Sequence, residues 1–246
     1  ALLTGRLRRT EPLLVAAATW AVLGGTTLAA VGEQMADSLD AGDLEAARAL
    51  IPSLCGRDPN SLDADGMCRA AVESIAENTS DATVAPVLWG AVAGVPGLLA
   101  YRTVNTLDAM VGYRSPRYER FGWASARLDD LANFVPARVG GVLAVVLGPD
   151  PAASWAAWHR EAHNHPSPNA GVVEASFAGA LGIGLGGRTV YAHGVEMRPE
   201  LGRGHAPGPV DLRAAVRLSR RVQTGAVAVA VGYRVVRAVF SRRSAG

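Results

Sequence analysis

Residues 12–32, PLLVAAATWAVLGGTTLAAVG, are 21 uncharged residues between Glu11 and Glu33. About 20 apolar residues carry a helix across the hydrocarbon core of a bilayer, so this run predicts a membrane-spanning helix. The competing soluble reading is a buried, alanine-rich helix. Arg6, Arg8 and Arg9 precede the run and favour a cytoplasmic N-terminal side. It is too long for a secretory h-region, and no A-x-A cleavage pattern follows. The chain begins with Ala1 rather than Met, which predicts a missing N-terminal piece.

Working outward, residues 82–101 (ATVAPVLWGAVAGVPGLLAY) are again uncharged, but Pro86, Pro96, Gly90, Gly94 and Gly97 interrupt them. Such breaks are tolerated at membrane depth where neighbouring helices satisfy the freed backbone groups, so a broken or re-entrant segment competes with a straight span. Residues 139–158 are apolar apart from Asp150 in the turn-like GPDP (148–151), which predicts a helical hairpin. Shorter Ala-, Val- and Gly-rich runs at 175–187 and 222–233 suit close helix packing. The fold class these runs predict is an all-α, polytopic helical integral membrane protein with amphipathic polar excursions. Residues 33–81 carry eleven acids and three arginines, whereas 102–138 carry six arginines and four acids. Two crossings would put 33–81 outside and 102–138 inside. Acids count little in this rule, and the second run reads equally as re-entrant, so the side of 33–81 stays open.

Composition agrees and excludes chemistries. Of the 246 residues 49% are apolar and only 19% charged, below the roughly 25% of an ordinary soluble domain. Mean hydropathy is +0.16. All 24 basic residues are arginine. Without lysine there is no P-loop lysine and no Schiff base to pyridoxal phosphate or a carbonyl substrate. Cys55 and Cys68 make no disulfide framework and fit no zinc spacing. A net charge of +2, with no basic patch carrying interleaved aromatics, gives no case for nucleic acid.

The polar stretches predict helices with ligand-like faces. Asp43 reads as the N-cap of a helix over 44–51 ended by Pro52, and Asp65 as the start of one over 66–78. Arg69, Glu73 and Glu77 share a face at i, i+4 spacing, and Asp81 extends it if the helix continues through NTSD (78–81). Glu73 could equally pair with Arg69. Arg102, Asn105 and Asp108 share one face of a helix over 101–110. On a helix over 123–139, kinked or ended by Pro136, Asp129 and Asn133 stand one turn apart beside Asp130, and Leu128, Leu131 and Val135 form an apolar face. Hard oxygen ligands of this type suit Mg²⁺ and its phosphates. Two adjacent acids beside an apolar helix face are costly without a function. In EAHNHPSPNAG (161–171), His163 and His165 are two apart on a stiff loop. A structural loop, or one touching substrate through His165 and Asn169, fits better than a metal site. GIGLGG (182–187) matches G-x-G-x-x-G only literally, and Gly182 with Gly186 reads better as a helix-packing pair.

Three blocks then carry a resemblance: RAAVESIAENTSDATVAPVLWGAVAGVPGLLAYRTVNTLDAMVGYR (69–114), RYERFGWASARLDDLANFVPARV (117–139) and HPSPNAGVVEASFAGALGIGLGG (165–187). In this order they resemble the CobD/CbiB family of cobalamin (vitamin B12) biosynthesis, the adenosylcobinamide-phosphate synthases. The resemblance implies one membrane domain over 1–246, multi-pass in the cell membrane, and N-terminally short of a hydrophobic region with a G-D-P-type motif. It implies a C–N bond-forming ligase joining aminopropanol or its phosphate to the corrinoid cobyric acid, with ATP and Mg²⁺ as cofactors. Its partners would be the corrinoid, the amine and membrane lipids, with other corrinoid-pathway enzymes or a homo-oligomer as further possibilities. Under that reading Glu73, Glu77, Asp108, Asp129 and Asp130 are catalytic, with Asp81, Asp129 and Asp130 holding Mg²⁺. Arg102, Asn105, Arg127, Asn133, Arg138, His165 and Asn169 bind substrate. The arginines would fork onto phosphate oxygens. The alternatives are a Mg²⁺-dependent membrane prenyl- or phospho-transferase, which does not need the 165–187 block, and a non-catalytic scaffold of the corrinoid pathway.

Overall fold

Apolar, alanine-rich sequence beginning at Leu13 winds into a helix over 13–22 (α1), pauses at Leu23 and Gly24, and continues as α2 (Gly25–Asp40). The computed structural model describes residues 13–112, 122–191 and 194–243. The helix runs past Glu33, and the pause has a packing cause. The Gly24 N–H bonds the Ala82 carbonyl oxygen at 3.2 Å. A Cβ on Gly25 would lie 2.2 Å from Gln223 Oε1 and 2.5 Å from Thr83 Oγ1. Three chain segments meet here at a separation that only glycine permits.

Asp43 caps α3 (Leu44–Leu54), its side chain accepting from Ala46 N at 3.0 Å. Pro52 does not end this helix as expected, because Ser53 Oγ and Cys55 N still bond the Leu50 and Ile51 carbonyls and close the last turn. Asp63, not Asp65, caps α4 (Ala64–Thr79) by accepting from Gly66 N at 2.8 Å. NTSD is neither a helix end nor a loop. Ser80–Val84 form a wide π-turn that passes straight into α5 (Ala85–Val111).

The re-entrant reading of 82–101 is the one the structure adopts. Gly94 has φ 67° and ψ −157°, a conformation essentially reserved for glycine, and Pro96 disfavours helix at the residue before it. The chain folds back there. Gly90 meets Leu98 eight residues on, and the Tyr101 hydroxyl reaches the Asp81 carbonyl at 3.1 Å. The break frees carbonyls on the first leg, and the last helix repays them. Arg234 donates to Ala91 O at 3.4 Å and Arg237 to Val92 O at 3.0 Å.

The same logic carries α6 (Trp123–Leu147) through Pro136 without ending. Proline has no N–H to give the carbonyl four residues earlier, and Trp89 Nε1 donates to that Ala132 oxygen at 3.0 Å. Gly148–Asp150 then turn the chain into α7 (Pro151–Glu161), so the expected hairpin is present but its first leg starts at Trp123. The 175–187 run is not a span. It divides into α8 (Ala170–Leu181), a left-handed cap at Gly182, and the first strand of an antiparallel ribbon, β1 (Leu185–Tyr191) with β2 (Gly194–Leu201). Gly186 makes a bulge in that ribbon, so Gly182 and Gly186 are turn and bulge residues rather than a helix-packing pair. The ribbon is the one departure from an all-α fold among the described residues. The 222–233 run lies inside the long α9 (Pro209–Arg243).

Helices α4 and α8 are the core: residues 70–76 and 170–180 are buried throughout. Large apolar side chains on α1, α5, α6 and α9 instead point outward, among them Trp20, Leu107, Leu131, Val135, Val146 and Phe240. Leu131 and Val135, expected on an apolar face, are 73% and 63% exposed. Four segments are long and apolar enough to cross a bilayer: Leu13–Asp40, Ala64–Val111 (the one folded at Gly94), Trp123–Leu147 and Pro209–Arg242. Outward apolar surface on span-length helices, around a core that holds the charges, is the arrangement of a helical membrane protein.

Candidate active site

Glu73 sits one turn beyond Arg69 on α4, but it does not pair with it. Its Oε2 meets the guanidinium of Arg57, from the loop after α3, and its Oε1 accepts the Gly186 N–H at 2.7 Å. Both members of the pair are buried, their side chains 3% exposed. One turn on, half-buried Glu77 lies within electrostatic reach of Arg198, Glu73 and Asp129. Because the chain stays helical through the π-turn, Asp81 extends this acidic row towards Asp129, Asp108 and Arg102.

The returning leg of α5 and the start of α6 supply the second wall. Asn105 Nδ2 donates to Asp129 Oδ1 at 3.2 Å and Asn133 Nδ2 to Asp129 Oδ2 at 3.0 Å, so neutral amides orient both oxygens of one carboxylate. Tyr101 locks this wall to the first, donating to Asn133 Oδ1 (2.8 Å) or the Asp81 carbonyl. Arg102 bonds Asn105 Oδ1 at 3.2 Å, as their shared face predicts. Half-buried Asp108 completes the carboxylate group near Asp129 and Asp130.

The 165–174 segment and the ribbon close the third side. Glu174 on α8 is buried, and Arg198 of β2 donates to its Oε1 at 3.3 Å. The same guanidinium nitrogen bonds His165 Nε2. Burial, then the charge of Arg198, push the His165 pKa down to about 4, so the ring is neutral at pH 7. A neutral ring accepting at Nε2 carries its proton on Nδ1, which faces the Ser167 carbonyl at 3.1 Å. Arg198 is therefore the counter-charge of Glu174, although His165 Nε2 also lies 3.6 Å away. Burial and Glu73 push the Glu174 carboxyl upward against the pull of Arg198. Asn169 joins this side to the second wall: its Nδ2 donates to the Asp130 carbonyl at 2.8 Å, and its Oδ1 accepts from Arg138 at 2.7 Å. Arg138 also lies 3.8 Å over the Phe134 ring.

Three sequence blocks thus converge on one charged, partly buried site, and the CobD/Cbib protein family model matches residues 2–219 of the chain. The chain belongs to the CobD/CbiB family. It is 60% identical over 220 residues to a cobalamin biosynthesis protein CobD of Mycobacterium tuberculosis, covering 88% of this chain and 70% of that one. It is 42% identical over 254 residues to a protein of the same name in Rhodobacter capsulatus, covering 90% and 80% of the two chains. A third, from Chromobacterium violaceum, is 43% identical over 216 residues, covering 88% and 69%. No solved structure matches the chain.

In this CobD/CbiB chain the expected residues Glu73, Glu77, Asp81, Arg102, Asn105, Asp108, Asp129, Asp130, Asn133, Arg138, His165 and Asn169 gather around one site. Arg127 stands at its rim, exposed and 3.9 Å from Asp130. His163 is exposed and faces away from the buried His165, because the loop between them is a short 3₁₀ turn rather than an extended strand. Reading the sequence missed Arg57, Tyr101, Glu174 and Arg198. Glu174 carried a usable signal, as the lone charge in VVEASFAGALG. Arg57 and Arg198 carried none, since only the tertiary fold brings them in. Among the described residues, no three carboxylate, imidazole or thiol groups converge as a ready-made metal cage.

Proposed function

We propose that this CobD/CbiB chain is an ATP-dependent C–N ligase of the cell membrane. It would join aminopropanol or its phosphate to the carboxylate of adenosylcobyric acid, giving adenosylcobinamide or its phosphate. The observation that carries the reading is the pairing, in one site, of carboxylates oriented by neutral amides with arginines that no close carboxylate neutralises. Arg102 and Arg138 bond amide or carbonyl oxygens, and Arg127 has only the distant Asp130.

The two sets suit the two sides of the reaction. The amine arrives as an ammonium ion and must lose a proton before its lone pair can attack. Half-buried Asp129, Asp81 and Glu77 would hold that ammonium and take its proton. Asn105 and Asn133 leave Asp129 with both oxygens fixed and lone pairs to spare. His165 is ill placed to be the base, since its Nε2 is engaged by Arg198; it orients that guanidinium instead. Arg102, Arg127 and Arg138 would bind phosphate oxygens, a fork geometry suited to them. Asn169, bridging Arg138 and the Asp130 carbonyl, would set the spacing between cation and acid.

A Mg²⁺ ion bound through one or two carboxylates and substrate phosphates needs no protein cage. Asp129, Asp81 and Asp130 offer the hard oxygens for it. When bound, Mg·ATP supplies the phosphoryl group that makes the corrinoid carboxylate reactive.

The test is complementation of a strain blocked between cobyric acid and cobinamide, with purified protein assayed in parallel. Growth without supplied cobinamide must depend on this gene, and the purified chain must form the amide only with ATP. Amide formation without ATP, or no complementation by a membrane-inserted chain, overturns the reading. Turnover of an isoprenoid diphosphate instead would make the chain a transferase.

A further inference from the structure

Behind the Glu73 wall lies a cavity of about 340 Å³ at the base of the ribbon, outside the carboxylate cluster. Its sides are Gly184–Gly187 and Gly202–Gly204, with Glu200 and Arg203 at the mouth and Arg69 within. Arg69 is half-buried. One guanidinium nitrogen donates to the Arg188 carbonyl at 3.0 Å, while Nε is buried without a partner. Among the described residues Arg69 makes no ion pair, since the acid one turn along the helix, Glu73, is taken by Arg57 and Gly186. A partly desolvated guanidinium without a counter-charge is costly, and a bound anion removes that cost.

The glycines are consistent with this. At Gly187, φ is +78° and a Cβ would stand 3.6 Å from Arg69 Nη1, so the absent side chain leaves that face of the guanidinium open. Arg203 is 75% exposed, tied by Nε to Glu161 Oε1 at 3.3 Å, with its other nitrogens on the mouth side. Two arginines against the single Glu200 leave the lining net positive. The volume is far too small for a corrin ring.

We propose that this cavity binds a phosphate-type oxyanion, with Arg69 as its principal donor and Arg203 at its rim. The inference deepens the ligase reading and rests on it for the two sources of the anion: the phosphates of the nucleotide, or the phosphate of the amino alcohol. Both present the same chemistry to a forked donor. The wall between cavity and cluster is the Gly186 bulge, whose N–H holds Glu73. An anion seated at Arg69 would therefore lie one helical turn from the Glu73–Glu77 row.

The experiment measures equilibrium binding of ATP, aminopropanol phosphate and inorganic phosphate to the full chain in lipid nanodiscs, comparing wild type with Arg69→Gln, Arg69→Lys, Arg203→Gln and Asp129→Asn. Arg69→Gln should weaken one of the two organic phosphates by about tenfold or more. Arg69→Lys should keep part of that affinity, Arg203→Gln should lose only a few-fold, and Asp129→Asn should bind as wild type. Which ligand weakens identifies the source. Equal binding of all three probes by wild type and Arg69→Gln overturns the proposal. If Arg69→Gln does not fold, wild-type affinity in both Arg69→Lys and Arg203→Gln overturns it instead. Loss of anion binding at Arg69 in a protein that forms no amide would keep the site and reject the ligase reading.

Discussion

Glu73 takes the Gly186 N–H at 2.7 Å across 113 residues of chain, while its other oxygen is closed by Arg57. One carboxylate thereby joins the core helix α4, the loop after α3 and the bulged ribbon. Removing its charge leaves Arg57 buried without it, and breaking one side of a buried pair costs about 3–5 kcal/mol. Glu73→Gln should therefore lower the unfolding midpoint sharply. The double variant Arg57→Met/Glu73→Leu should recover much of the stability without recovering ligation. A double variant that is active would show that Glu73 is only a structural tie.

Asp129 separates an enzyme from a scaffold. Asp129→Asn keeps the shape and most of the Asn105 and Asn133 contacts but loses the acceptor. Amide formation should fall by about 100-fold or more, in the range expected for losing a proton acceptor, with membrane insertion and melting unchanged. Full cobinamide formation in the combined Asp129→Asn/Asp130→Asn variant would establish the scaffold reading.

His165 gives a pH signature with a defined sign. Its folded pKa is about 4, below the ordinary value of 6.5. As pH falls from about 6.5 towards 4, the unfolded chain takes up a proton that the folded chain refuses, so stability falls over that window. Melting temperatures at pH 7, 6 and 5 should decline less steeply in His165→Asn than in wild type. An equal decline in both would show that the imidazole is charged in the folded protein.

Gly94 is the hinge of the re-entrant segment. A side chain in its backbone region costs about 1–3 kcal/mol, so Gly94→Ala should lower the midpoint. Gly232→Ala, on a helix with open space around it, should leave the midpoint unchanged or raise it slightly. Equal midpoints for both variants would mean that the chain does not fold back at Gly94.

How much of this was legible in the sequence varies with the kind of information. The span-length runs, the Asp43 cap, the GPDP hairpin and the Asp129–Asn133 face all follow from local periodicity and turn chemistry, and the structure contains them. The prolines misled the reading for a physical reason. Pro136 breaks a helix only if the carbonyl it orphans stays unpaired, and the Trp89 indole that satisfies it lies 43 residues away in sequence. Likewise Arg57 and Arg198 enter the site through a loop and a ribbon that no local pattern announced. The ribbon was hidden because its glycines, which serve a cap and a bulge, matched a helix-packing spacing equally well. Glu73 and Arg69 met the i, i+4 rule, yet each found a better partner from another element.

The π-turn at Ser80–Val84 has a consequence for the length of this chain. The Ala85 N–H bonds the Ser80 carbonyl, so one residue more than a regular turn is wound in between Thr79 and Ala85. Each residue advances a helix by about 100°. Deleting any one of these five would tighten the turn and swing the whole re-entrant segment by roughly that angle, carrying Tyr101 and Asn105 away from Asp81 and Asp129. Side chains in the turn can change within the limits of packing. The number of residues in it sets the angular phase of everything that follows, and so fixes where a single-residue insertion or deletion would dismantle the site without touching any residue in it.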